Sequence, residues 1–245
     1  MRLRPKTRRV QISGAKYPAM SALALKILHC DNHLLVVDKP AGLPVQADDS
    51  GDPDLLSLAK EWIGHQFNKP GAVYCGLVHR LDRPARGVLV LARTSKAAAR
   101  LSAQFAGHTC EKRYQAVVWG HVQPDTAELV DQLLPSAGST AVVANGGQLA
   151  VLRYGVVERS RDQTLLDITL QTGRKHQIRV QLAARGWPIV GDLRYGAPRA
   201  LPDRSIALWA ATLTVDHPTR PERLTFAAEP PVGWPWLLES RLEPR

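Results

Sequence analysis

Residues 76–93 are GLVHRLDRPARGVLVLAR, two apolar segments on either side of a polar loop. Short apolar segments bounded by turn residues are typical of strands, so the pattern predicts strands over residues 76–79 and 87–93. The loop between them places Asp82 among three arginines. Such an acid is either a turn residue with structural ion pairs or a carboxylate that arginine keeps ionised for nucleophilic or general-base chemistry. The residues alone leave both interpretations open.

The same pattern of short apolar segments extends from residue 25 toward the C-terminus. We predict three helices, over residues 53–63, 95–105 and 175–184, the second capped by Thr94 or Ser95. Further strands are predicted over residues 25–29, 34–38, 113–119, 127–134, 141–144, 149–158, 164–171, 206–215 and 224–227. Many strands, few helices and no regular βαβ alternation predict an α+β fold, with a mixed, largely antiparallel β-sheet and flanking helices. The proline-rich segment 230–236 is predicted to be irregular.

The 245 residues carry a surplus of positive charge, with 32 lysines and arginines against 22 aspartates and glutamates, a net charge of +10. A surplus of this size attracts polyanions, nucleic acid above all, although anionic lipid stays open. No apolar run approaches the roughly 20 residues of a membrane-spanning helix, so we expect no membrane partner. Cys30, Cys75 and Cys110 are odd in number and form no C-x-x-C, which favours a reducing compartment and a cytoplasmic location.

Residues 1–24 form a basic extension whose first 21 residues contain six lysines and arginines and no acid. This extension lacks the apolar segment of a secretory signal. Its composition predicts a disordered tail that adds sequence-independent attraction to phosphates, and an organelle transit peptide is the alternative.

Several common chemical signatures do not occur in the sequence, among them H-E-x-x-H, G-x-S-x-G and G-x-G-x-x-G. Gly186 and Gly191 have the spacing of a phosphate-binding loop. However, Asp192 and Leu193 stand where lysine and a hydroxyl residue would bind phosphate and magnesium. Four possible zinc ligands lack the spacing of a known zinc finger: Cys75, His79, His108 and Cys110. We therefore expect no metal site.

Two further segments carry groups that suit a nucleic-acid site. On the strand predicted over residues 113–119, the Tyr114 ring follows Lys112 and Arg113 and is either a packed core residue or a stacking platform for a base. Residues 171–182, QTGRKHQIRVQL, open the third predicted helix with exposed backbone donors and basic side chains, which suits an anion. A solvated basic face is the alternative for that segment.

Together these segments resemble the RluA-type RNA pseudouridine synthases, and the similarity runs from about residue 27 to residue 238. ILHCDNHLLVVDKPAGL at 27–43 is similar to the family's opening strands and lysine-proline turn. HRLD at 79–82 with Gly87 resembles its catalytic motif, and KRYQA at 112–116 resembles its tyrosine motif. TGRKHQIRV at 172–180, with PIVG at 188–191, resembles its arginine motif. Four motifs in the family's order make the resemblance specific.

The resemblance implies a pseudouridine synthase domain over residues 25–240, without the separate S4 domain of some relatives. It implies an isomerase that cleaves the N1–C1′ bond of a flipped uridine, rotates the uracil and rejoins it through C5, with neither cofactor nor metal. By the same resemblance, Asp82 is the catalytic carboxylate, Tyr114 stacks on the uracil, and Arg179 pairs with Asp82. Attack of Asp82 on C1′ and removal of a sugar proton both fit these residues.

The resemblance also implies binding to RNA, ribosomal rather than transfer RNA. Nothing in the sequence demands more than a monomer, so we expect one. The RNA contacts are expected from Arg80, which would enter the RNA to displace the target nucleotide, and from Arg83, Arg86, Lys112, Arg174, Lys175 and His176. Arg86 and Lys175 depart from the family, since many members have a hydroxyl residue at these positions. Two alternatives stay open: a non-catalytic RNA-binding or ribosome-assembly protein on the same scaffold, and an enzyme acting on a free nucleoside.

Overall fold

The structure of the protein is a computed structural model, and it describes residues 25–230 and Trp234. The predicted basic extension therefore lies outside the described residues, as does most of the segment predicted to be irregular over residues 230–236.

The described part of the chain contains eleven strands, three α-helices and one 3-10 helix (Leu193–Tyr195). The strands are β1 (Lys26–Cys30), β2 (Leu34–Lys39), β3 (Gly76–Leu77), β4 (Arg86–Ala92), β5 (Glu111–Trp119), β6 (Thr126–Pro135), β7 (Thr140–Val143), β8 (Gln148–Arg159), β9 (Gln163–Leu170), β10 (Leu208–Asp216) and β11 (Arg223–Ala227). The helices are α1 (Leu55–Gln66), α2 (Ser95–Ala106) and α3 (Gln177–Ala183).

All the strands belong to one sheet, whose main order is β1-β2-β4-β10-β5-β9-β8-β6-β7. β3 pairs with β4, and β11 pairs with β10. Among the paired strands of the described residues, only β4 and β10 run parallel. The α+β prediction with a mixed, largely antiparallel sheet is therefore confirmed.

The parallel junction of β4 and β10 is short, with Trp209 opposite Arg86 and Ala210 opposite Gly87. Gly87 has a φ of +115°, and a Cβ placed there would lie 2.2 Å from the carbonyl oxygen of Ala210. Only glycine allows the two backbones to approach this closely. The glycine that follows the Asp82 loop thus fixes where that loop leaves the sheet.

The helices begin where polar side chains cap their first turns and then cover the sheet. The Asp54 carboxylate accepts the backbone N–H of Ser57 at the start of α1, and the Thr94 hydroxyl oxygen accepts that of Ala97 at the start of α2. Each cap satisfies a donor that has no partner within the helix. α2 packs against β4 and β10, and α3 packs against β6 and β7. None of the helices within residues 25–230 is long and apolar enough to cross a membrane.

Two predicted elements are shorter than expected. The strand predicted over residues 76–79 ends at Leu77, because the His79 ring turns inward and its Nε2 accepts the N–H of Val90 at 2.9 Å. If β3 continued, its next residue, Val78, would pair with Val90. The helix predicted over residues 175–184 begins only at Gln177, because His176 has a left-handed backbone with a φ of 55°.

Candidate active site

A cleft of about 580 Å³ opens on one side of the sheet. It is lined by the loop between β3 and β4, the end of α2, strand β5 and the segment that leads into α3. Of the ten site residues predicted from the sequence, eight line this cleft: Arg80, Asp82, Lys112, Tyr114, Arg174, Lys175, His176 and Arg179. Segments separated by about a hundred residues along the chain therefore meet at one place.

An ion pair joins the Asp82 loop to α3. Arg179 Nη1 donates to Asp82 Oδ2 at 3.0 Å, and the side chains of Arg179 and Asp82 are only 5% and 14% exposed. The other edge of the guanidinium grips Asp192, with Nε to Oδ2 at 2.7 Å and Nη2 to Oδ1 at 2.8 Å. Burial works against the charge of Arg179, but the bonds and charges of Asp192 and Asp82 outweigh it and raise its pKa above the ordinary value. The Arg179 guanidinium that faces Asp82 therefore keeps its positive charge at neutral pH, and its bonds to Asp192 fix its orientation.

The two oxygens of Asp82 have different surroundings. Oδ2 accepts the bond from Arg179. Within residues 25–230, Oδ1 accepts no hydrogen bond, and His176 Nε2 lies 3.9 Å from it. Because Asp82 lines the cleft, this oxygen is available to a bound molecule. One oxygen orients the carboxylate and the other is open for chemistry.

Tyr114 forms part of the cleft wall from the centre of the sheet. It lies on β5, opposite Ala210 of β10 and Ile168 of β9, and it is buried. Burial, together with the negative charge of Asp82, raises the pKa of Tyr114 far above its usual range. Its hydroxyl is thus protonated at neutral pH, and its ring offers an apolar face beside the Asp82 carboxylate.

His176 also faces Asp82, from the residue before α3. Its Nδ1 lies 2.8 Å from the hydroxyl of Tyr195, and that hydroxyl accepts the backbone N–H of Thr140 at 2.9 Å. Burial lowers the pKa of His176 although the Asp82 charge opposes it, so the imidazole is neutral at pH 7. The Arg179 guanidinium lies 5.0 Å from the centroid of the Tyr195 ring, so Tyr195 contacts both His176 and Arg179.

The basic side chains of the cleft differ in what they contact. Lys112 is buried and donates to the carbonyl of Thr172 at 3.1 Å, and burial lowers its pKa. Arg174 and Lys175 are half-buried and Arg80 is exposed. These three place positive charge where the phosphates of a polyanion can reach it.

The structure does not bring Arg83 and Arg86 to the cleft lining. Arg83 bonds to the carbonyl of Gly42 at 3.0 Å and to the carboxylates of Asp48 and Asp52, so it ties its own loop to the segment before α1. Arg86 Nη2 donates to Asp203 at 2.8 Å. RNA contact by these two residues stays a prediction, and their guanidinium groups serve ion pairs within the protein.

Three supporting residues were assigned no role from the sequence: Lys39, Asp192 and Tyr195. The buried Lys39 ammonium donates to the carbonyls of Leu43 and Arg83, at 2.8 and 3.3 Å, and so holds the loop of Asp82 from below. Burial lowers the pKa of Lys39 to about 7 although the charge of Asp82 opposes this shift. Their positions in the sequence could have indicated these three residues. Lys39 precedes a Pro-Ala-Gly turn, and Asp192 and Tyr195 follow the arginine motif closely.

The described residues contain no group of three or more histidine, cysteine, aspartate or glutamate side chains arranged to hold a metal ion. The cleft brings together one open carboxylate oxygen, a fixed cation, a protonated phenol and a neutral imidazole.

Known proteins are similar to this chain in sequence and in fold. The family model for RNA pseudouridylate synthase matches residues 33–184. Ribosomal large subunit pseudouridine synthase D of Pseudomonas aeruginosa is 34% identical over 233 residues, covering 88% of this chain and 71% of that protein. Dual-specificity RNA pseudouridine synthase RluA of Escherichia coli K12 is 36% identical over 214 residues, covering 83% and 92%.

A solved structure agrees with these matches. Human RNA Pseudouridylate Synthase Domain Containing 4 superposes with a TM-score of 0.75 at 25% identity, covering 89% of this chain and 94% of that one. The chain belongs to the RNA pseudouridylate synthase family. Its activity is that of an RNA pseudouridine synthase, an isomerase, and the family resemblance found in the sequence is confirmed.

Proposed function

We propose that this enzyme converts a uridine of ribosomal RNA to pseudouridine with Asp82 as the reacting carboxylate. The observation that supports the proposal is that the two carboxylate oxygens of Asp82 have different contacts. Arg179 fixes Oδ2 at 3.0 Å, whereas Oδ1 is open to the cleft beside the Tyr114 ring. Because Oδ1 accepts no bond within residues 25–230 and Asp82 lines the cleft, a bound substrate can fill its acceptor sites.

The reaction exchanges one bond to the uracil for another. The N1–C1′ bond breaks, the uracil rotates, a C5–C1′ bond forms, and the proton lost from C5 is balanced by one gained at N1. Asp82 takes part either by attacking C1′ or by removing a proton from the sugar at C2′. Both routes need an ionised oxygen that faces the ribose, and the ion pair with Arg179 stabilises that negative charge.

The target uridine has to leave its base stack to reach Asp82, at a cost of a few kcal/mol. Contacts to phosphates by Arg80, Arg174 and Lys175 offset part of this cost, and stacking of the uracil on Tyr114 contributes roughly 1–3 kcal/mol. The protonated Tyr114 hydroxyl can donate a hydrogen bond to a carbonyl oxygen of the bound uracil, and the proton that leaves C5 passes to solvent. The positions of the four residues on one cleft support these roles.

Ribosomal RNA is the proposed substrate because several relatives are named as ribosomal large subunit pseudouridine synthases. Transfer RNA is the second candidate, favoured by the relatives named as dual-specificity RNA enzymes. We also infer a monomer in the cytoplasm, because one chain supplies every group of the cleft and Cys30, Cys75 and Cys110 are free thiols.

Pseudouridine mapping on unmodified RNA tests the proposal. Large-subunit ribosomal RNA and transfer RNA, both transcribed in vitro, are incubated with wild-type protein, with Asp82→Asn, and with Asp216→Asn as the control. Asp216 pairs with Arg223 outside the cleft. We expect the wild type and the control to modify a defined uridine of the ribosomal RNA, and Asp82→Asn to be slower by roughly 10³-fold or more. Retained turnover by Asp82→Asn would overturn the assignment, and modification of transfer RNA alone would replace the substrate.

A further inference from the structure

We propose that His176 recognises the ribose of the target uridine, its Nε2–H donating a hydrogen bond to the 2′-hydroxyl beside Asp82. This inference rests on the proposed function, because it uses Asp82 to locate the sugar. It assigns to a protein side chain the distinction between a ribonucleotide and a deoxyribonucleotide at the reacting position, where the 2′-hydroxyl is the only difference in the sugar.

The first step is the tautomer of His176, which a chain of hydrogen bonds sets. The backbone N–H of Thr140 can only donate, so the Tyr195 oxygen accepts it at 2.9 Å. The Thr140 hydroxyl donates elsewhere, to the carbonyl of Ser139 at 2.9 Å. The proton of the Tyr195 hydroxyl is thus free to donate to His176 Nδ1 at 2.8 Å. A neutral imidazole that accepts at Nδ1 carries its proton on Nε2.

The proton on His176 Nε2 points toward Asp82. His176 Nε2 lies 3.9 Å from Asp82 Oδ1. This separation is too long for a direct hydrogen bond, so the N–H faces the open carboxylate oxygen without engaging it. Within residues 25–230 no hydrogen bond from Nε2 is found, although His176 is buried and lines the cleft. Nε2 is thus a donor that is accessible from the cleft and has no protein partner there, and a bound ligand can accept its hydrogen bond.

The 2′-hydroxyl of the target ribose fits between His176 Nε2 and Asp82 Oδ1. Asp82 Oδ1 acts at C1′ or C2′ by either route, so the hydroxyl on C2′ is close to that oxygen whichever route operates. A hydroxyl both accepts and donates. It can accept from His176 Nε2 and direct its own proton toward Asp82 Oδ1, which bridges the two groups. A deoxyribose would leave the Nε2 donor unsatisfied.

The fourth observation is that His176 is held firmly. It has a left-handed backbone with a φ of 55°, a strained conformation for a residue other than glycine. The next side chain, Gln177, fixes the turn, because its Oε1 accepts the backbone N–H of Arg174 at 3.0 Å and the hydroxyl of Thr172 at 2.8 Å. A rigid donor loses little entropy on binding and discriminates well between ligands.

The test compares two substrates that differ by one oxygen atom. The substrates are stem-loop RNAs centred on the uridine that the mapping experiment identifies, one all-ribose and one with 2′-deoxyuridine at the target. Single-turnover rate constants are measured for the wild type and His176→Ala. Because each variant is compared with the wild type on the same substrate, intrinsic differences in glycosidic bond strength cancel. We expect His176→Ala to lose roughly tenfold or more on the ribose substrate and less than about threefold on the deoxy substrate.

Two further variants keep the test decisive. His176→Gln places an amide N–H near the position of Nε2–H and should restore part of the preference for ribose, also if His176→Ala folds poorly. Lys175→Ala, next in sequence, should change both rates by the same factor, because a phosphate contact does not sense the 2′ position. Equal losses on both substrates for His176→Ala and no rescue by His176→Gln would overturn the inference. Turnover that survives Asp82→Asn would instead overturn the proposed function.

Discussion

Asp31 and Asp82 are both partly buried carboxylates surrounded by basic groups, yet they are bonded in opposite ways. Asp31 lies in the turn between β1 and β2, where its Oδ1 accepts the backbone N–H groups of His33 and Leu34 at 2.7 and 2.8 Å. Its Oδ2 accepts three more bonds, from His29, His217 and Arg220. Burial raises its pKa, but the two backbone bonds and the histidine bonds outweigh this and hold the pKa far below its usual value. Asp31 is fully satisfied by the protein.

Asp82, by contrast, has one oxygen bonded to Arg179 and one open to the cleft. The number of nearby cations does not separate the two sites, since both have arginine and histidine within reach. The two sites differ in whether the protein fills the hydrogen-bond acceptor sites of both carboxylate oxygens. A carboxylate whose lone pairs are all used stabilises the fold, and a carboxylate with a spare oxygen can act on a substrate.

The largest expected effect comes from removing the cation of each site. Arg179→Met leaves Asp82 and the buried Asp192 without a counter-charge, which should cost roughly 3–5 kcal/mol in the free energy of unfolding and at least about 10²-fold in turnover. Arg220→Met should change stability by less than about 1 kcal/mol, because Arg220 is 51% exposed and Asp31 keeps four other donors. Urea unfolding and single-turnover assays on ribosomal RNA measure both. Equal losses of stability would break the comparison.

The next effect concerns hydroxyl groups inside and outside the cleft. Tyr114→Phe should retain RNA affinity through its ring and lose roughly 10²-fold in turnover, because the hydroxyl that donates a hydrogen bond to the bound uracil is gone. The matched control is Tyr154→Phe, whose hydroxyl donates to the carbonyl of Pro124 at 3.2 Å away from the cleft, and its turnover should equal the wild type. With the pKa of Tyr114 far above its usual range, ionisation of this phenol should give no change of rate between pH 7 and 9. An unchanged rate in Tyr114→Phe would restrict the residue to packing.

A smaller effect tests Asp31. Asp31→Asn should keep full turnover and lose about 1–3 kcal/mol of stability at pH 7. The pKa of Asp31 is lower in the folded than in the unfolded chain, so its stabilisation is complete above the ordinary value of about 4 and declines as pH falls below it. The gap in unfolding free energy between wild type and variant should therefore narrow from pH 5 toward pH 2.5. A gap that stays constant would show that ionisation of Asp31 contributes nothing.

The smallest effect is on the salt dependence of RNA binding. Lys175→Ala, at the cleft, should reduce the slope of log K against log salt concentration by about 0.7 to 0.9, the contribution of one phosphate contact. Arg220→Ala removes the same charge at the Asp31 site and should leave the slope unchanged. Filter-binding titrations with ribosomal RNA fragments at several salt concentrations provide the slopes. Equal slopes for the two variants would mean that RNA does not distinguish the two regions.

Most of the fold was predictable because its strands are short, apolar and bounded by turn residues. The errors lie where a side chain replaces a backbone bond, as His79 does at the end of β3. The pairing of Arg179 with Asp82 was predicted through the family resemblance. Its second partner, Asp192, was not, because that contact depends on a turn whose geometry the sequence does not display.

The three arginines around Asp82 show a second limit of sequence analysis. Arg80, Arg83 and Arg86 look equivalent in the chain, but two of them meet acids 31 to 117 positions away. Such distant ion pairs have no local pattern. Only the folded arrangement shows that Arg80 alone of the three lines the cleft.

The narrow junction of β4 and β10 has a mechanical consequence. Asp82 is carried by the side of the sheet that holds β4, whereas Tyr114 and Arg179 belong to the side that begins at β10. The β4–β10 ladder contributes two residue pairs in the described part of the chain. Further contacts cross the same boundary, among them α2, which packs on both strands, and the bonds of Asp31 to His217 and Arg220. Because the ion pair of Asp82 with Arg179 also crosses it, a change in the angle between β4 and β10 would alter the distance between these two side chains.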